Sequence, residues 1–482
     1  MKATNKQSAV SPAASNETAS ASPETPSVPQ ELHLLRLAWP MLVETLLFMM
    51  LGFVDVFVLS RYDDLAASGI NTANQAVSVL TIVFTVFSSA GGILITQHLG
   101  AGHRKAASRI AALSLTLHLI AGLLVSLLLL IFSRPLLSFI GAKGQILTFA
   151  EQYLSIVGGF LFFQAVMNAM SGIFRSHGMT KLPMLVTVGI NLLNTLLDTI
   201  LVLGLLGFPK MGVAGVAIAT VISRVLGVIL MTILLFRHIE KPSLFRLLKP
   251  FPRRELIMFF RLGVPSALET FLYNLSQLVI TSIVLNCLSE QELVAKTYIQ
   301  NITILFYIFS VSIGQAAQII VGHRVGAGEY TAARQQGFHA YKIALAVAIT
   351  ASLVGILLRE PLISLFTEDR TVISLASGIF IINLLLEFGR TTNLVLIACL
   401  RGAGDVFYPT ACAIFSNWLL SVGGSYVLAV ICGWGLYGLW IALAADECFR
   451  GLLMLLRWRG VRWQNALSKR SVETPETTLQ DT

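Results

Sequence analysis

Two aspartates lie inside apolar segments of this chain, where a carboxylate has no water to stabilise it. Asp55 lies in the apolar run 37–60, and Asp198 lies in the run 184–207. Asn194 precedes Asp198 by four residues and shares its helix face. Ionisable groups in such segments are costly and usually face an interior cavity or a partner. Each is therefore a candidate functional group.

The predicted depths of these side chains are similar. Counted from the segment ends predicted to lie on the outer side of the membrane, Asp55 is about five residues deep, Asp198 about eight to nine, and Thr220 about eight, which at the helical rise of 1.5 Å puts all three in one layer. Two carboxylates, an amide and a hydroxyl can form an oxygen site for a monovalent cation such as Na⁺, or a carboxylate pair that shares a proton. The alternative is that Asp55 is an interfacial residue and that Asn194 and Asp198 only hydrogen-bond neighbouring helices.

A second set of charges lies near mid-depth of two apolar segments in the second half of the chain. Its members are Glu387 and Arg390 in one segment, and Asp446, Glu447 and Arg450 in the other. Acid and base three residues apart can neutralise one another on a helix face. We expect a structural ion-pair network that ties the two segments together. The alternative is that Glu387 or Asp446 loses its partner in one conformation and binds a proton, an ion or a cationic substrate.

The chain contains an internal duplication. The pattern Pro40-x-x-x-Glu44-Thr45-x-Leu47 returns 225 residues later as Pro265-x-x-x-Glu269-Thr270-x-Leu272. Further matches, now 226 residues apart, are Gly100-Ala101-Gly102 with Gly326-Ala327-Gly328, Arg175 with Arg401, and Asn191 with Asn417. Many secondary transporters are built in this way, because two similar bundles can expose a central site alternately to each side of a membrane.

The two glutamates of the repeated pattern, Glu44 and Glu269, are predicted at the mouth of a cleft between the two halves. They either gather cations there or pair with basic loop residues. The halves differ in the carboxylate site, because Ile280 and Gly424 occupy the positions equivalent to the two aspartates of the first half. The first half is therefore expected to be acidic inside.

The composition is that of an integral membrane protein. Hydrophobic residues make up 55% of the 482 and charged residues 12%, whereas a water-soluble domain is about a quarter charged. The net charge is +9, but the basic residues lie between the apolar segments and form no single patch, which excludes a nucleic-acid binder. The five cysteines show no CxxC or CxxH spacing. We find no phosphate-binding loop and no catalytic constellation, so we expect neither an enzyme nor a cofactor.

Apolar runs of about 20 residues or more, the length that crosses a bilayer, occur six times in each half. They are 37–60, 77–99, 111–133, 152–174, 184–207 and 213–236, then 258–286, 297–321, 337–358, 373–399, 407–432 and 435–456. We predict an all-α integral membrane protein with 12 transmembrane helices in two pseudo-symmetric six-helix lobes. The predicted divisions are an N-lobe (31–236), a linker (237–257) and a C-lobe (258–460).

Lysine and arginine in the loops predict the orientation. They are concentrated in the loops on the side of the N-terminus, including Arg104, Lys105 and the linker, and are fewer in the opposite loops. Both termini are therefore predicted to be cytoplasmic. Residues 1–30, rich in Ser, Ala and Pro, are predicted to be a disordered tail. Residues 461–482 are predicted to form a second tail.

Several short motifs occur in a characteristic order along the first half. They are Gly52-Phe53-Val54-Asp55, Gly100-Ala101-Gly102, Arg175-x-x-Gly178-x-x-Lys181-x-Pro183, Asn194-x-x-x-Asp198 and Gly212-Val213-Ala214-Gly215-Val216-Ala217-Ile218-Ala219-Thr220. In these motifs and in its duplication, the chain resembles the multidrug and toxic compound extrusion (MATE) family of the multidrug/oligosaccharidyl-lipid/polysaccharide exporter superfamily, over about residues 33–460.

The resemblance implies a V-shaped pair of lobes in a bacterial cytoplasmic membrane and antiport of drugs against Na⁺ or H⁺. It also implies an N-lobe cation site at Asp55, Asn194, Asp198 and Thr220. Some members have a functional glutamate eight residues after the proline of span 7, where this chain has Tyr273.

The leading hypothesis is ion-coupled export of organic cations by a monomer. The alternative is a lipid-linked saccharide flippase, or an exporter of another amphipathic metabolite. A flippase of this kind would be expected to carry several cationic side chains in its central cavity.

Overall fold

The computed structural model describes residues 32–60 and 63–464. The predicted tail 1–30 and all but the first four residues of the predicted tail 461–482 lie outside the described residues. Within the described ranges the chain is almost entirely helical, and no strand occurs there. The predicted all-α fold is confirmed.

Among the described residues, seven α-helices form each lobe. The N-lobe contains α1 (Leu34–Ser60), α2 (Asp64–Gly100), α3 (Arg104–Ile140), α4 (Gly144–Gly159), α5 (Leu161–Ser176), α6 (Lys181–Leu203) and α7 (Val213–His238). The C-lobe contains α8 (Arg253–Cys287), α9 (Glu290–Gly326), α10 (Tyr330–Leu357), α11 (Arg359–Ser364), α12 (Arg370–Gly402), α13 (Phe407–Ser416) and α14 (Gly435–Arg459). Side-chain caps fix several helix starts: Asp63 caps α2, Asp369 caps α12, and Ser289 with Glu292 forms a capping box on α9.

A helix occupies each of the twelve predicted spans. Ten helices in the described part of the chain are long and apolar enough to cross a membrane, when α13 is taken with its π-helical continuation to Ile431. An eleventh span consists of α4 and α5, which meet at a bend of 50°. The twelfth, α14, carries charged residues in its middle, and its composition is therefore less apolar.

The two lobes cross where α2 and α9 end. Gln97 donates through Nε2 to the Gly402 carbonyl oxygen at 2.8 Å, and the equivalent His323 places Nε2 2.8 Å from the Ser176 carbonyl oxygen. Each lobe thus contacts the other through the same pair of repeat positions. At this crossing, Gly100 packs against the His323 backbone and Gly326 packs against the Gln97 backbone. The cleft between the lobes is therefore closed at this end.

The linker packs against the N-lobe. It contains a short 3₁₀ helix, Pro242–Leu248, whose Leu244 is buried. Arg109 of α3 donates to the Leu247 carbonyl oxygen at 2.9 Å and forms an ion pair with Glu255 at 3.1 Å. These contacts fix the start of α8 against α3.

Candidate functional site

The predicted acidic residues of the N-lobe lie close together, near the helix ends that are far from the lobe crossing. Asp55 comes from α1, Asn194 and Asp198 from successive turns of α6, and Thr220 from α7. Asp55 is 3% exposed and Asp198 is fully buried. When the orientation of the Asn194 amide is assigned from its neighbours, its NH₂ group lies 3.2 Å from Asp55 Oδ1 and 3.1 Å from Asp198 Oδ2, and its oxygen accepts from the Thr220 backbone N–H at 3.3 Å. One amide therefore bridges the two carboxylates.

The carboxylate pair lacks a directly bonded counter-ion. None of the ion pairs found among residues 32–60 and 63–464 includes Asp55 or Asp198, and Asp198 Oδ1 has no hydrogen-bond partner. Two buried carboxylates this close to a shared amide cannot both stay ionised without a compensating positive charge. The pair therefore needs a proton or a small cation.

Two further polar residues lie beside this pair and were missed by the sequence analysis. Arg224 follows Thr220 by one turn of α7, and Tyr153 of α4 is 1% exposed. Tyr153 is close enough to interact electrostatically with Asp55, Asp198 and Arg224, and Arg224 is close enough to interact with Asp55. An arginine inside the predicted span 213–236 was a signal of the same kind as the two aspartates.

A cavity of about 380 Å³ lies between the lobes on the inner side of this site. Its wall carries six amide side chains, those of Gln164, Asn168, Asn191, Asn194, Gln315 and Gln318. The charged side chains on its wall are Glu44, Arg175 and Arg224, whereas Asp55 and Asp198 do not line it. The two carboxylates therefore lie inside the N-lobe but behind the cavity wall, because Asn194 and Thr220 stand between them and the cavity.

Both glutamates of the repeated pattern form ion pairs with arginines at equivalent repeat positions. Glu44 accepts from Arg175 at 2.9 Å and from Ser171 at 2.8 Å. Glu269 accepts from Arg401 at 2.8 Å and from Thr410 at 2.7 Å. In each lobe this pair joins the first helix of the repeat to a later one, so the charges neutralise each other locally.

The charges of the C-lobe form one connected network between α12 and α14. Glu387 pairs with Arg390 at 2.6 Å, and Arg390 approaches Glu447 to 4.0 Å. Arg450 pairs with Glu447 at 3.0 Å and with Asp446 at 2.7 Å. The predicted network thus contains three acids and two bases, and several of its members border a small cavity of about 60 Å³.

Replacing Arg390 by glutamine is expected to destabilise the C-lobe. Glu387 is 1% exposed, and its other carboxylate oxygen has no partner, so the change strands a buried charge. Breaking such a pair costs about 3–5 kcal/mol. Arg134→Gln is the matched control, because it removes a partner from the Arg134–Glu151 pair, in which Arg134 is largely exposed. That loss should cost at most about 1 kcal/mol.

The measurement is the melting temperature of the purified variants, together with efflux normalised to folded protein in the membrane. We expect efflux by Arg390→Gln to fall in proportion to folded protein. A variant that melts like the wild type but does not transport would contradict the structural role and would place a transport site in the C-lobe.

Comparison with known proteins gives consistent matches over nearly the whole chain. The MatE family model matches twice, at residues 40–200 and 265–427, once in each repeat. The "Uncharacterized transporter YisQ" of Bacillus subtilis is 34% identical over 89% of this chain and 94% of its own length. The "Probable multidrug resistance protein NorM" of Thermotoga maritima is 30% identical over 94% of this chain and 96% of its own length.

Solved structures share the fold at lower sequence identity. A crystal structure described as "MATE in the bent conformation" matches with a TM-score of 0.82 and 21% identity, over 90% of this chain and 95% of that one. A structure described as the "outward-facing conformation of a multidrug resistance MATE family transporter of the MOP superfamily" matches with a TM-score of 0.81 and 20% identity, over 90% and 96% of the two chains.

Proposed function

The chain belongs to the MatE family of membrane transporters, and on that premise we propose that it exports organic cations, drugs among them, in exchange for Na⁺ or H⁺. The coupling ion binds at Asp55 and Asp198, with Asn194 and Thr220 positioning the carboxylates. The substrate occupies the cavity between the lobes. No cofactor other than the coupling ion takes part.

The observation that carries this proposal is the buried carboxylate pair, which lacks a bonded counter-ion and lies directly behind the cavity wall. Neutralising the pair with a proton or a small cation changes the charge that a substrate in the cavity experiences, with only one amide and one hydroxyl in between. A cationic substrate therefore binds best when the pair is unoccupied. This is the relation that antiport requires.

Alternating access follows from the two-lobe architecture. The hydrogen bonds at the crossing join α2 to α12 and α9 to α5 at the same positions of both repeats, so a rocking motion of the lobes releases them together. Release opens the cavity on the side of the crossing and closes it on the other. We place the crossing at the cytoplasmic side of a bacterial inner membrane, with both termini cytoplasmic and a monomer as the functional unit.

The alternative of a lipid-linked saccharide flippase receives less support from the cavity. Such a protein is expected to present several free cationic groups to its substrate. Of the two arginines on the cavity wall in the described part of the chain, Arg175 is already paired with Glu44. The remaining lining is dominated by amides, hydroxyls and apolar side chains.

Competition between the coupling ion and the substrate tests the proposal. We expect the affinity of the purified protein for a fluorescent organic cation such as ethidium to fall as the proton or Na⁺ concentration rises. By linkage, the organic cation must weaken binding of the ion by the same factor, typically about 5- to 150-fold for coupled sites. Proteoliposomes with an imposed pH or Na⁺ gradient then identify the coupling ion. Binding that stays constant over a wide range of pH and Na⁺ concentration would refute the coupling.

A further inference from the structure

Arg224 lies on the cavity wall. It has no role in the ion site proposed above. It lies on α7 one turn beyond Thr220, about 6 Å along the helix axis. Its Nη1 atom is buried and has no hydrogen-bond partner, and no ion pair found in the described ranges includes Arg224. A guanidinium in this position is costly unless a negative charge compensates it.

The groups around Arg224 leave few candidates for that negative charge. The helices packed against α7 contribute Asp55 from α1, Asp198 from α6 and the phenol of Tyr153 from α4. From α5, the uncharged amides of Gln164 and Asn168 face the cavity. Arg175 of α5 and Glu44 of α1 already neutralise each other. The carboxylate pair is therefore the remaining source of negative charge near Arg224.

We propose that Arg224 is the residue that couples the two ligands: its guanidinium is the counter-ion of the carboxylate pair when the pair is ionised, and it repels a cationic substrate from the cavity when the pair is neutralised. This inference rests on the proposed antiport. Arg224 is suited to this role because, in the described part of the chain, it is the charged side chain that both lines the cavity and interacts with Asp55.

The formal charge of Asp55, Asp198 and Arg224 together distinguishes the ion-free state of the site from the protonated state. With both carboxylates ionised, the group of Asp55, Asp198 and Arg224 has a formal charge of −1, and the guanidinium is held toward the pair. Binding of one proton to a carboxylate brings the formal charge to zero and weakens the hold on the guanidinium. The arginine charge is then felt in the cavity, where it opposes an organic cation. Proton entry and cation release are thereby linked.

The test is the pH dependence of ethidium binding to purified full-length protein. For one competing proton, the apparent Kd of the wild type is expected to change by up to about tenfold per pH unit, with weaker binding at low pH. Arg224→Met is expected to lose most of this pH dependence, because only the direct effect of the carboxylate pair on the cavity remains. Arg224→Lys, which keeps the charge, should restore most of the dependence. Arg246→Met, an exposed arginine of the linker, is the matched control and should behave as the wild type.

The outcomes separate this inference from the proposed function. A wild-type protein whose binding does not respond to pH or Na⁺ overturns both. A responsive wild type with an equally responsive Arg224→Met overturns the role of Arg224 and leaves antiport standing. Loss of the response in Arg224→Lys as complete as in Arg224→Met also overturns it, because the charge would then not be the active property. Arg224→Gln provides a second neutral variant if the methionine variant does not purify as a monodisperse protein.

Discussion

Replacing Asp198 by asparagine is expected to reduce drug efflux to the level of cells that lack the transporter, and Asp55→Asn is expected to do the same. Asparagine has the size of aspartate but cannot ionise, so each variant loses one of the two carboxylates that the proposed ion site requires. The remaining carboxylate keeps its hydrogen bond from Asn194. The measurement is efflux of ethidium from cells, with the amount of folded transporter in the membrane determined in parallel.

The stability of these two variants should distinguish a coupling site from a structural one. Removing one of two buried like charges relieves repulsion, so the melting temperature should stay the same or rise. Asp64→Asn is the control, because Asp64 is exposed in the first turn of α2. It should change neither efflux nor melting temperature. Normal gradient-driven efflux by both Asp55→Asn and Asp198→Asn would disprove the proposed coupling site.

Adding a single methyl group at the crossing of the lobes is expected to block transport, because it prevents the lobes from closing at this end. A Cβ at Gly100 would collide with the His323 carbonyl oxygen, and a Cβ at Gly326 would collide with the Gln97 carbonyl oxygen. These neighbours are backbone atoms of the opposite lobe and cannot move aside as a flexible side chain can. Gly100→Ala and Gly326→Ala should therefore hold the lobes apart at this end and strongly reduce efflux.

The opening can be measured by pulsed electron spin resonance between labels at Lys105→Cys and Thr331→Cys, introduced after the native cysteines have been replaced. These two exposed positions are equivalent in the repeats and lie just beyond the crossing. We expect a longer distance in either alanine variant than in the parent protein. Gly189→Ala is the control, because a Cβ at this α6 position meets nothing within 4 Å. All three changes favour helix by up to about 1 kcal/mol, so helix propensity cannot explain a difference. Unchanged distances in Gly100→Ala and Gly326→Ala would contradict the crossing as the point of closure.

The sequence by itself determined the class of protein, its duplication and the depth of its buried charges. These properties are local or periodic: an apolar run of sufficient length predicts a span, and the fixed rise of a helix converts a residue number into a depth. Counting along the helices was therefore enough to place Asp55, Asp198 and Thr220 in one layer. The acid–base pairs Glu387–Arg390 and Glu447–Arg450 were predictable for the same reason, since their members are three residues apart on one helix.

Only the tertiary structure decided which way each side chain faces and what lies beside it. The rotation of a helix about its axis depends on packing against helices that are distant in the chain, and an almost uniformly apolar sequence carries little signal for that rotation. For this reason the sequence left pairing of Glu44 with a basic residue as one of two alternatives and did not identify Arg175, 131 residues away, as the partner. Nor did it indicate that Asn194 bridges the two aspartates, or that the cavity wall carries Arg224 while the carboxylates lie behind it. Those relations between helices determine how the ion site and the substrate cavity can influence each other.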